Sequence, residues 1–142
     1  MSWDVTFIKA VGRAPKLADD LTETVPLGRR DSVRESIAAC LPGVRWDATG
    51  WGIYDDGSLS IDFNLEGGGG DGGPVEAFMA HVRGTGDAVA AILRVATPNG
   101  WSVMDNSTGE LLDPGNPSSA GWDGFRAYRD HAVGGGGEAD AE

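Results

Sequence analysis

Cysteine occurs once in this chain, histidine twice, and Lys and Arg together only 11 times. Cys40 has no second cysteine to join, which excludes an internal disulfide and agrees with a reducing compartment. The two histidines, His81 and His131, form no paired metal-ligand motif, and no Gly-x-Ser-x-Gly elbow or Gly-Lys-Ser/Thr phosphate loop occurs. No apolar run approaches the ~18 residues of a membrane helix. The start, Met1-Ser2-Trp3-Asp4, lacks the basic and apolar stretches of a secretion signal. These absences lead to the expectation of a cytoplasmic protein without membrane contact, metal or cofactor. Few cations against 22 Asp and Glu, a formal net charge of -11, argue against direct nucleic-acid binding through phosphates. That charge suits either solubility alone, or a basic protein partner, or mimicry of nucleic acid.

What is present is enough apolar residue, 40% of 142, for one core. One α+β domain is expected over residues 1–133. Trp3, Val5 and Phe7 alternate with Asp4 and Thr6, the period of a half-buried strand. Residues 11–30, with Pro15 and Pro26, read as a long loop with at most one turn. Val33, Ile37 and Cys40/Leu41 repeat at helical spacing over 31–41, where Ser32 and Glu35 are spaced as a capping box and Pro42-Gly43 ends the run. Asp56-Gly57 marks a hairpin over 50–65, with Leu59, Ile61, Phe63 and Leu65 on one side and Ser60, Asp62, Asn64 and Glu66 on the other. A glycine-rich loop over 67–74 leads into a strand at 75–83. A second helix is expected over 87–96, capped by Thr85 or Asp87 and stopped by Pro98-Asn99-Gly100. A second hairpin, 101–105 with 110–113, precedes a third helix capped by Ser119 and carrying Trp122, Phe125 and Tyr128/Arg129. Residues 134–142 read as a disordered, glycine-rich acidic tail. The order β-α-β-β-β-α-β-β-α favours a mainly antiparallel sheet of about five to six strands with two to three helices on one face.

Charge is uneven along this plan. No Lys or Arg lies between Arg45 and Arg83, where Asp47, Asp55, Asp56, Asp62, Glu66, Asp71 and Glu76 occur. None lies between Arg94 and Arg126, where Asp105, Glu110, Asp113 and Asp123 occur. Arg29, Arg30, Arg34, Arg126 and Arg129 gather near the first and third helices. If the acidic hairpins neighbour each other, one surface carries a field that speeds encounter with a cationic partner. Otherwise the same residues are turn formers and solvated strand faces. Asp55-Asp56 and Asp105-Asn106-Ser107-Thr108-Gly109-Glu110 do not fit the twelve-residue calcium pattern. Gly84-Thr85-Gly86-Asp87 lacks the third glycine of a dinucleotide fingerprint and reads as a strand-to-helix turn.

Two residue sets remain. Trp46, Trp51 and Tyr54, with Asp55, Asp56 and Asp62, would supply aromatic anchors and charge for a protein partner, Trp46 and Trp51 being the expected exposed pair. His81, Arg83, Trp101 and Asp105 would instead line a small-molecule or catalytic pocket. Met1-Ser2-Trp3-Asp4-Val5, His81-Val82-Arg83-Gly84, Gly100-Trp101-Ser102-Val103-Met104-Asp105 with Ser107-Thr108-Gly109-Glu110, and Phe125-x-x-Tyr128-Arg129-Asp130 resemble a family of short uncharacterised bacterial proteins across nearly the whole domain. The resemblance implies no catalytic residue. In size, acidity and hairpin-rich build the chain is similar, as a class, to immunity proteins of bacterial toxin systems. The expectation is therefore an acidic protein-binding module, an immunity-type inhibitor of a basic toxin or nuclease. The alternative is a small-molecule-binding or enzymatic domain near His81, Arg83 and Asp105.

Overall fold

The structure is a computed structural model describing residues 1–12, 14–21, 23–65 and 73–136, the side chains of 132–136 excepted. It is α+β, as the alternation of apolar residues predicts. A seven-stranded antiparallel sheet contains β1 (Trp3–Ala10), β2 (Thr24–Val25), β4 (Arg45–Trp46), β5 (Trp51–Asp55), β6 (Leu59–Asn64), β8 (Phe78–Gly84) and β9 (Ser102–Asp105). Its main path runs β1-β8-β6-β5-β4, with β9 on the other side of β1 and β2 pairing the end of β1. A small second sheet joins β3 (Gly28–Arg29) to β7 (Pro74–Val75). Among the described residues three α-helices complete the fold: α1 (Arg30–Cys40), α2 (Ala88–Ala96) and α3 (Ala120–Gly136).

β8 and β9 both run antiparallel to β1, so they are parallel to each other with β1 between them. α2 is the crossover that this arrangement requires. Its apolar stripe, including Val89, Ile92, Val95 and Ala96, is buried against the sheet. The sheet supplies Trp3, Val5, Phe7, Leu59, Ile61, Phe63, Phe78, Ala80, Val82 and Val103 to the same core. Phe7 stacks on Phe78 with centroids 4.5 Å apart, and Trp101 meets both rings edge-on. Trp122 of α3 packs against Trp3 at 5.7 Å and donates its indole N–H to the Gly86 carbonyl. Burial of such side chains contributes ~1.5–3 kcal/mol each, so this face holds the domain together.

Several local expectations change. The capping box at Ser32 and Glu35 is not formed. α1 begins one residue earlier, because the Arg30 N–H donates to the Gly73 carbonyl beside β7, and the Ser32 N–H donates to the Asp31 carboxylate. Asp87, rather than Thr85, caps α2 by accepting the Ala90 N–H. Residues 11–30 carry β2, β3 and a 3-10 turn at Ala18–Asp20. The second hairpin is incomplete: Glu110 and Leu111 make single bridges, to Leu17 and Met104, because the Leu111 N–H turns to the Lys16 carbonyl. α3 runs through Gly136, into the expected tail, of which residues 137–142 lie outside the described residues. The glycine-rich loop falls outside them over 66–72.

Gly84 ends β8 at φ 111°, a left-handed conformation. A Cβ there would collide with the Ser58 backbone carbonyl, whereas at Gly57, φ 93°, it would meet nothing within 4 Å. Gly84→Ala is therefore expected to cost about 3 kcal/mol and Gly57→Ala about 1 kcal/mol of backbone strain. Urea unfolding of both variants checks the order, and equal losses would refute the close-approach argument.

Candidate functional site

Strand alternation sends every second side chain to the face opposite the core. There Asp4, His81, Asp62 and Ile53 form one row across β1, β8, β6 and β5, and Thr6, Met79, Asn64 and Trp51 form the next. These side chains are half-buried, in contrast to the closed core face. His81 Nδ1 lies 2.8 Å from Asp4 Oδ1, which also accepts the Ser2 hydroxyl. Trp51 stacks on the His81 ring at 5.9 Å. Arg83 pairs with Asp62 at 3.1 Å, and both are accessible enough for the pair to contribute little to stability. The open face thus presents an aromatic ring, an imidazole–carboxylate pair and flanking charges on rigid strands.

The sheet divides both residue sets expected from sequence. Trp51, Asp55 and Asp62 stand on the open face. Trp46 and Tyr54 do not join them: they lie on the core side, partly buried against the core. Trp46 covers Gly52 so closely that a Cβ there would overlap its ring, and the Arg34 guanidinium sits 6.0 Å from that ring. The exposed pair expected at Trp46 and Trp51 is therefore split between the two faces. The glycine at 52 makes room for the Trp46 indole, and that burial is what draws Trp46 inward. His81 and Arg83 are on the open face, while Trp101 and Asp105 point into the core side, so the sheet itself stands between the halves of that pocket.

Asp105 is 2% exposed and has a local task. Its carboxylate accepts the Ser107 N–H and hydroxyl, at 2.9 and 2.6 Å, shaping the turn after β9. Its other oxygen lies against Gly121 in the first turn of α3, where a Cβ would overlap it. A carboxylate beside a helix start is favoured by the helix dipole.

The first acidic hairpin is also largely occupied with its own turns. Asp56 accepts the Ser58 and Leu59 N–H groups, which hold its carboxyl below its ordinary 3.8, and the Tyr54 hydroxyl bonds it at 3.2 Å. Asp47 is lowered by the Thr49 hydroxyl first and the Trp51 N–H second. Burial and then the Asp56 charge push the Tyr54 phenol up from its ordinary value. The two acidic hairpins are not neighbours, since β1 and β8 separate β6 from β9. Among the described residues no group of three His, Cys, Asp or Glu could hold a metal, and no helix is long and apolar enough to cross a membrane.

Asp4 was not singled out from sequence, although it completes the His81 contact. Its signal was its place opposite Trp3 and Val5 in the alternation; its partner became visible only with the β1–β8 register. No family model, curated protein or solved structure matches the chain.

Because Asp56 ionises more readily when folded, its turn stabilises the fold above the ordinary carboxyl value, and that contribution disappears as pH falls through the lower folded-state value. The stability gap between wild type and Asp56→Ala should be constant near neutrality and close below about pH 3.8. Urea unfolding across that range reads it, and a gap that persists in acid would show that the Asp56 charge is not what matters.

Proposed function

We propose that this chain is an acidic protein-binding module, an immunity-type inhibitor whose open sheet face receives a basic toxin or nuclease. The observation that carries the reading is the half-buried face on which Trp51 stacks on His81 beside Asp4 and Asp62. Aromatic side chains on rigid strands are efficient binding anchors, because little conformational freedom is lost when a partner covers them. The net charge of -11 favours a cationic partner and raises its rate of encounter. Asp55, exposed at the end of β5, adds charge at the rim of the same face. Trp46 and Tyr54 support this surface from the core side and do not touch the partner directly.

The test is capture of a stoichiometric partner from the native host by the full chain, at low and at high salt. The expected result is a basic protein held less well at high salt and bound about tenfold or more weakly by Trp51→Ala, the scale of a truncated anchor. Recovery of no stoichiometric partner, or undiminished capture by Trp51→Ala, would overturn the reading. Loss of phenotype with His81→Ala while capture persists would point instead to small-molecule chemistry at the His81–Asp4 pair.

A further inference from the structure

Asp4 belongs to two surfaces. Besides the open face, it lines a cleft of about 520 Å³ between the chain start, the turn after β9 and the first turns of α3. That volume lies within the range of ligand sites. Phe125 and Tyr128 form an aromatic wall, and Gly124 leaves the space open. A Cβ at Gly124 would meet nothing within 4 Å.

We infer that this cleft is a socket for an arginine side chain of the protein partner, which rests on the protein-binding reading above. Three observations converge. First, α3 already pairs its rings with guanidinium groups four residues on: Arg126 lies 5.9 Å from the Trp122 ring, and Arg129 lies 5.4 Å from the Phe125 ring. The next ring, Tyr128, has Ala132 at that spacing and is 60% exposed at the cleft. Second, both the Ser2 hydroxyl and His81 Nδ1 engage Asp4 Oδ1, and neither engages Oδ2. A cation in the cleft, which Asp4 lines, would donate to this carboxylate. Third, the chain as a whole is strongly negative, which favours a cationic ligand over a neutral one. Guanidinium fits better than ammonium because it is planar, weakly hydrated and able to stack on a phenol ring while donating to a carboxylate.

The experiment is an amide NMR titration of the full chain with N-acetyl-arginine methylamide, with the uncharged citrulline analogue as control. Saturable shifts are expected at Asn106, Gly121, Gly124 and Tyr128, with markedly weaker binding of the citrulline analogue. Tyr128→Ala should weaken the arginine probe about two- to fivefold, and Asp4→Asn about tenfold. Tyr128 is exposed, so its variant keeps the fold even if Asp4→Asn does not. Equal binding of the two probes, or shifts spread evenly over the turns at Asp47 and Asp56, overturns the socket. So does unchanged probe affinity in Tyr128→Ala. If that variant also captures the partner normally, the open-face reading stands while the socket falls. Saturable probe binding in a chain that recovers no partner removes the protein-binding reading instead.

Discussion

The pairing register of β1 with β8 is the constraint on which the other contacts depend. Trp3 opposes Val82, Val5 opposes Ala80 and Phe7 opposes Phe78. A slip of one residue would exchange these for Asp4, Thr6 and His81 and place a carboxylate in the core. The Phe7–Phe78 stack, only 9° from parallel, and the Trp101 edge against both rings fix the register from the core side. The Asp4–His81 contact matches it on the other. β1 also carries β9, so the same strand sets the position of the Asp105 turn and, through Gly121, the start of α3.

Register then determines which side chains can cooperate. Residues of odd number in β1 face the helices, and those of even number face solvent; β6 follows the same odd–inward rule, while β8 has even residues inward. His81 and Arg83 consequently share a surface with Trp51 and Asp62, not with Trp101 and Asp105. Asp105 is a turn and helix-start carboxylate held by Ser107, and its burial is explained without chemistry on a substrate. The open face and the α3 cleft meet at Asp4, whose carboxylate contacts His81, and at the Thr6–Asn106 hydrogen bond.

Short-range physics was legible in the sequence. Leu59, Ile61 and Phe63 occupy the inward face that their alternation predicts, around a turn whose Asp56 accepts two backbone N–H groups. The stripe of α2 and the aromatic spacing of α3 were equally clear. Partners chosen at long range were not. Asp4 and His81 are 77 residues apart, and nothing local marks them as a pair. The two-residue strands β3 and β7 carry too few residues for a pattern, and exist because Gly28 and Val75 are brought together by α1 and the sheet. Trp46 misled for a related reason: a tryptophan beside a turn is apolar enough for either face, and only the vacancy over Gly52 draws it inward.

The acidity itself has a more specific meaning once the turns are built. Asp47, Asp56 and Asp113 accept backbone N–H groups of their own turns, and Asp105 does so in the interior. Their positions follow from turn geometry, and any sequence with these turns would favour them. They still add to the total field, which acts over about 8–10 Å at physiological salt and therefore governs encounter more than fit. Asp4 and Asp62 are different. They lie in strands, where no turn demands them, on a face where β-branched or neutral polar residues would satisfy the sheet equally well. Each is paired to a basic group of β8, His81 or Arg83, so their charge is held in a fixed geometry rather than dispersed. In the proposed binding mode the two strand carboxylates and the rings beside them would make the contacts, with the turn aspartates adding attraction at a distance.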